Sequence, residues 1–243
     1  MKSNFIEEVS KNVTFVLEFL GIILALFVVA FVMEKLAKKR TGDTERILST
    51  RKMAMIGMFS AIAAILHIMD FALPFIAPPF YKLDFSELPA LIGAYAFGPF
   101  AGVMIEFLKI LLKLIFKGTS TAFVGDLANF AVGCSFILPA SVIYDFDKKK
   151  KTAILSCVVG TIVLTVFGTM FNALYLIPAF SALYGLGIEE IIAMGTSINK
   201  GITDLTSFVI IAVAPLNLIK GSVVSLITLL VYKKISPILK SRK

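Results

Sequence analysis

The sequence is poor in charge and in the residues that usually carry catalysis. Asp, Glu, Lys and Arg together make up 16% of 243 residues, against about 25% in a typical soluble domain. There is one histidine, His67. A multi-histidine metal site is therefore excluded, and a Ser-His-Asp triad would have to use that residue. Its position near the end of an apolar run reads as a packed or interfacial side chain. Of the two cysteines, Cys134 and Cys157, both fall inside apolar runs, where a thiol behaves as a small buried hydrophobe, and nothing in the sequence supports a disulfide between them. Gly-x-Ser-x-Gly, a phosphate-binding loop and His-Glu-x-x-His are all missing, so the chain shows no signature of its own ATPase or protease.

What fills the sequence is apolar residues, 58% of the total, against about 45–50% in soluble domains. A hydrocarbon core of ~30 Å takes about 20 such residues per helix. Scanning at that length predicts spans at 13–33, 53–73, 99–117, 152–179 and 207–232, with shorter ones at 88–98 and 121–143. Seven helices result, the 88–98 segment being too short to cross unless it tilts or continues through Gly98-Pro99. No run alternates with the period of a barrel strand, so the expected class is all-α, a polytopic membrane helical bundle.

Lys and Arg are clustered, with seven between Lys35 and Lys52, four at Lys148 to Lys151 and five between Lys233 and Lys243. The positive-inside rule makes those three segments cytoplasmic. The loop around Tyr81, the Lys117–Thr121 turn and the 180–206 connection then lie outside, as does the N-terminus, and the C-terminus lies inside. The net charge of +8 reads as topology and attraction to lipid rather than nucleic-acid binding. The first apolar run is too long for a signal peptide and its positive cluster follows it, which favours an anchor helix. The chain divides into 1–50, an anchor helix with a cytoplasmic linker, and 51–243, a membrane domain.

Polar residues inside such runs are informative, because a charge at the centre of a span costs about 2.5–3.5 kcal/mol on insertion scales. Asn217 and Lys220 share a helical face in the last run, and Asn172 and Tyr175 share one ahead of the helix-kinking Pro178. A structural pair is the bland alternative for Lys220, with Asp126 or Glu106 as its partner; Asn172 could equally be an interhelical hydrogen-bonding residue. Asp126 and Asn129 lie where Thr119, Ser120 or Thr121 would cap a helix. Asp84 and Glu87 fit either a capping arrangement or a ligand contact. Glu106 and Lys109, at i and i+3, suffice as an ion pair. The polar loop Tyr81 to Ala90, bounded by prolines and rich in aromatics, is placed to receive a solute. Ala54, Gly57, Ser60, Ala61 and Ala64 form a small-residue strip suited to close helix approach.

Tyr81-Lys-Leu-Asp-Phe-Ser-Glu-Leu-Pro-Ala90, Ala96-Phe-Gly-Pro99, Gly125-Asp-Leu-Ala-Asn-Phe130, Asn172 with Leu176-Ile-Pro178, and Pro215-Leu-Asn-Leu-Ile-Lys-Gly221 resemble, in order, the riboflavin-specific substrate-binding (S) component of energy-coupling-factor (ECF) transporters. The resemblance covers about residues 50–240. It implies a six-helix core, to which 13–33 is an extra N-terminal transmembrane helix, in a bacterial plasma membrane. It also implies capture of riboflavin from outside, and docking onto a transmembrane coupling protein (T component) driven by two cytoplasmic ATPases. Riboflavin would be a transported ligand, not a cofactor. Asn172, Asn217 and Lys220 would bond the ribityl chain or ring carbonyls, Leu83, Asp84 and Phe85 would close over the flavin, and Asn129 would be a polar wall. Ala54, Gly57 and Ala61 would meet the coupling protein.

This agrees with the chemistry of isoalloxazine, a flat apolar ring edged by carbonyl and imide groups, which wants aromatic walls such as Phe80, Tyr81, Phe85 and Tyr175 and a few placed donors. No residue is asked to make or break a covalent bond. Two rivals stand beside this reading: an S component for another vitamin or a flavin precursor, and an intramembrane enzyme using Asp126 or Glu106.

Overall fold

The structure, a computed structural model, describes residues 13–119, 121 and 123–240. The N-terminal residues expected outside, Ser120 and the last three residues of the basic tail lie outside the described set.

The long helices are α1 (Val13–Thr41), α2 (Thr50–Ile68), α4 (Pro99–Lys117), α5 (Val124–Phe146), α6 (Lys150–Phe171) and α10 (Ala214–Lys240), with a shorter α3 (Glu87–Phe97). Between α6 and α10 run α7 (Ile177–Tyr184), α8 (Ile188–Thr196) and α9 (Leu205–Phe208). One short antiparallel hairpin, β1 (Phe71–Ala72) with β2 (Lys82–Leu83), pairs Phe71 with Leu83 and Ala72 with Lys82. Among the described residues, five helical segments are long and apolar enough to cross a bilayer: Phe19–Thr41, Thr50–Ile68, Val124–Phe146, Lys150–Tyr184 and Leu205–Ile235. This is an all-α membrane bundle.

Several boundaries differ from the sequence reading for identifiable reasons. The second span stops at Ile68, because the chain turns into β1 where residues 69–73 were expected to remain helical. α3 and α4 do not merge. Gly98 sits at φ +107°, which residues with a Cβ rarely adopt, and Pro99 opens α4 at a position where its missing N–H costs nothing. At ~1.5 Å per residue the 11 residues of α3 rise about 16 Å, half a hydrocarbon core. The short helix is possible because it is enclosed by protein. Ala90, Leu91, Ile92, Ala94 and Tyr95 are all buried, in a core shared with Phe59, Ile105, Phe136 and Leu164.

Two helices contain π-turns, at Asn172–Leu176 and Val209–Val213. Each is closed by the residue that follows it, which stands just before a proline: the N–H of Ile177 reaches Asn172 O and that of Ala214 reaches Val209 O. The ring of Pro178 or Pro215 would strike the carbonyl four residues back, and a widened turn relieves that clash.

The extra helix is packed into the bundle. Phe27 meets Phe100 and Phe107 with ring centroids 5.6 Å apart in both cases. Glu34 is 1% exposed, and its Oε2 accepts from the N–H of Phe100 at 3.0 Å, in the first turn of α4, where a carboxylate is favoured by the helix dipole. A Cβ at Gly98 would lie 2.5 Å from this carboxylate, a second reason for glycine there. On the opposite end, Asp204 caps α9 by accepting from Ser207 N at 2.7 Å, and these bonds hold its carboxyl below the ordinary value.

Candidate functional site

At the hairpin end of the bundle a cavity of about 430 Å³ opens between α2, the β2 loop, α4, α5, α6–α7 and α10, within the ~300–1,000 Å³ of small-molecule pockets. Its walls combine Phe80, Tyr81, Leu83, Leu176 and Phe180 with Asn129, Asn172, Asn217 and Lys220.

The amides are positioned by the local backbone. Asn172 opens the first π-turn and is 5% exposed; its Oδ1 accepts from the Tyr81 hydroxyl at 2.7 Å and its Nδ2 donates to Gly168 O at 2.7 Å. Each amide atom retains capacity for one more bond, so Asn172 can tie the loop to α6 and still meet a ligand. Asn217, one turn into α10, lies against Gly168: a Cβ there would be 2.6 Å from its Nδ2. Gly168→Ala is therefore expected to push this amide aside, lowering ligand affinity by about ten-fold, the worth of one hydrogen bond, with little loss of thermal stability because a mobile side-chain end yields. Isothermal titration beside a melting curve checks this. On α5, Asn129 Oδ1 and Asp126 Oδ2 are buried acceptors with no partner among the described residues. The other Asp126 oxygen takes Lys113 Nζ at 2.6 Å, joining α5 to α4.

Beneath these walls lies a buried charge cluster. Lys220 Nζ donates to Glu87 Oε1 at 2.8 Å and to Asp84 Oδ2 at 3.4 Å. Lys109, with 0% exposure, meets Glu106 Oε2 at 2.6 Å, Ser86 Oγ at 2.9 Å and Glu87 Oε1 at 3.5 Å. Asp84 also accepts from Ser86 N at 2.8 Å and faces His67 Nδ1 at 3.3 Å. The Glu106–Lys109 pair expected from i, i+3 spacing is present, embedded in a larger network. Lys220 is paired as the bland reading supposed, but the partners are Asp84 and Glu87 in place of Asp126 or Glu106. Asp84 is not a helix cap either: Ser86 stands at that position, and the Asp84 carboxylate turns inward. On α5, Thr121 Oγ1 accepts from Gly125 N at 3.0 Å and Thr119 Oγ1 from Phe123 N at 3.0 Å, so both threonines do serve the helix start.

Of the residues singled out from sequence, the cavity thus gathers Leu83, Asn129, Asn172, Asn217 and Lys220. It does not gather Asp84, which stands behind Lys220; Phe85, whose ring packs on Phe71 at 5.9 Å; or Tyr175, stacked on Phe171 at 5.2 Å. Glu87, Lys113 and the π-turns carried a sequence signal, in buried charge and helix-internal proline, without being assigned to the site. The small-residue strip is divided. Ala54, Gly57 and Ala61 are exposed on α2, with nothing within 4 Å of a Cβ built on Gly57, while Ser60 and Ala64 face inward.

Residues 51–232 match the family described as ECF transporter, substrate-specific component. The riboflavin transporter RibU of Staphylococcus aureus (strain TCH60) is 33% identical over 190 residues, 78% of this chain and 93% of the relative. The riboflavin transporter FmnP of Bacillus subtilis (strain 168) is 28% identical over 198 residues, 81% and 97%. A solved structure described as the S component of a bacterial ECF transporter superposes with a TM-score of 0.61 at 33% identity, covering 78% of this chain and 98% of that one.

Proposed function

Because the chain belongs to the substrate-specific components of ECF transporters, and is thus a transporter subunit rather than an enzyme, we propose that it takes up riboflavin. The carrying observation is the cavity itself. Amides from three helical segments, Asn129, Asn172 and Asn217, and one ammonium converge on a space walled by Phe80, Tyr81 and Phe180. A flat ring with polar edges and a polyhydroxylated tail matches that mixture. Asn172 and Asn217 serve the ribityl chain or ring carbonyls together with Lys220. Asn129 supplies an acceptor on the facing wall. Leu83 belongs to the covering loop, with Asp84 and Phe85 supporting it from behind and Tyr175 bracing the π-turn. The curated relatives, whose names specify riboflavin, favour this vitamin over others.

The expected orientation is a multi-pass plasma-membrane protein with the hairpin end outside. The basic segments around Lys38 and Lys148 and the C-terminus lie in the cytoplasm, and the N-terminus lies outside. Residues 51–243 form the substrate-binding domain and 1–50 an anchor and linker, in keeping with a family match that starts at 51. Transport is driven by a T component and two ATPases, in keeping with membership of the substrate-specific components of ECF transporters. Riboflavin is cargo, and no cofactor is required. The exposed Ala54, Gly57 and Ala61 form the face on which the coupling protein packs.

Protein purified from cells grown with riboflavin should be yellow and show the flavin visible spectrum; a colourless protein that retains another vitamin would overturn the assignment. Gly57→Leu should keep that colour yet abolish ATP-dependent uptake in cells, because the bulk lies on the docking face and away from the cavity. Normal uptake in this variant would remove α2 from the docking surface.

A further inference from the structure

Glu87 opens α3, outside the cavity walls, and is 2% exposed. Its Oε1 is shared by two ammoniums, Lys220 at 2.8 Å and Lys109 at 3.5 Å. The two lysines differ in kind. Lys109 is enclosed and fixed by Glu106 and Ser86, whereas Lys220 lines the cavity with its side chain 12% exposed. A lysine has a flexible four-carbon stem, and holding its ammonium in one place costs rotamer entropy that a fixed partner must offset. Asp84 alone would be a weak tether at 3.4 Å, being itself shared with His67 and Ser86 N–H. The firm anchor for Lys220 is thus the Glu87 carboxylate, held in turn by a lysine that the ligand cannot reach.

We propose that Glu87 is a positioning residue for substrate capture: it holds the Lys220 ammonium against the cavity wall, with Lys109 as the fixed counter-anchor on α4. The inference rests on the reading of the cavity as the riboflavin site. It makes the start of α3 part of the recognition machinery although no atom of Glu87 lines the cavity.

The test is a double-mutant cycle read by riboflavin titration of detergent-solubilised full-length protein, with melting temperatures alongside. Glu87→Gln preserves shape and removes charge; its Kd should rise about ten- to hundred-fold, the range expected for a charge-assisted hydrogen bond. Glu87→Asp should recover part of that loss. In a Lys220→Met background Glu87→Gln should change Kd by less than about two-fold. A merely structural role would lower the melting temperature and leave the Kd of the folded fraction unchanged. If Glu87→Gln yields no folded protein, Glu87→Gln/Lys109→Met, which removes one charge of each sign, is read against Lys109→Met in the same way. Wild-type protein that binds riboflavin while Glu87→Gln binds it equally well, or loses the same factor with and without Lys220, overturns the inference alone. Wild-type protein that does not bind riboflavin overturns the reading of the cavity and the inference with it.

Discussion

Lys220→Met is expected to be the most damaging single substitution in the chain. The Asp84 and Glu87 side chains are each 2% exposed, and both direct an oxygen at the Lys220 ammonium. Removing the cation leaves carboxylates facing each other in a low-dielectric interior, and breaking a buried pair in this way costs about 3–5 kcal/mol. Lys109 offsets part of this, since it already approaches Glu87, but it is committed to Glu106. Two results follow. The melting temperature should fall sharply, and riboflavin affinity should drop by at least about a hundred-fold, because a charge-assisted donor to the ligand, worth about 1.5–3 kcal/mol, disappears with it. Adding Glu87→Gln should restore part of the stability and none of the affinity. Recovery of affinity in the double variant would show that Lys220 serves the fold and not the ligand.

The second large effect is expected at Asn172. Asn172→Leu removes the amide that receives the Tyr81 hydroxyl, which makes no other hydrogen bond among the described residues. Leaving a buried donor unsatisfied costs about 1–3 kcal/mol. The loop preceding β2 loses its tie to the π-turn, and the ligand loses a donor and an acceptor. Riboflavin affinity should fall by about ten- to hundred-fold, more than in Tyr81→Phe, which removes the loop tie but keeps the amide. Equal losses in the two variants would assign the amide to loop anchoring alone.

The contrast between these two residues shows what could be read from the chain. Asn172 was legible, because an amide in an apolar run must find a partner and Pro178 marks a disturbed turn nearby. The π-turn itself was not, since whether a proline kinks, ends or widens a helix depends on its packing. The break at Gly98-Pro99 was visible as two helix-breaking residues together, yet only the surrounding core explains how 11 residues can stand as a separate helix. The i, i+3 pair Glu106–Lys109 followed from spacing. The partners of Lys220 lie 133 and 136 residues away, and Asp84 and Glu87 sit in a pattern that resembles a helix start, so local rules pointed to capping. Long-range pairing decides such cases, and periodicity has no access to it. The small-residue strip divides for a related reason: its five members wrap around part of α2, and burial separates Ser60 and Ala64 from the exposed Ala54, Gly57 and Ala61.

α3 connects the two ends of the bundle. Asp84, Ser86 and Glu87 carry the chain from the hairpin directly into the charge cluster, where they meet Lys220 on α10 and Lys109 on α4. The same α3 leads to Gly98, where Glu34 of the extra helix meets the first turn of α4. The hairpin loop and the far end of the bundle are thereby joined through one short buried helix.

The central claim is that this cavity holds one riboflavin through convergent amides and an ammonium. An equilibrium titration of flavin-free, full-length protein, following the quenching of flavin fluorescence, tests it most directly. The account predicts saturation at one riboflavin per chain, undisturbed by excess thiamine and weakened in Asn172→Leu and Lys220→Met. Fluorescence unchanged by the wild-type protein, or quenching that persists at full strength in both variants, would contradict it.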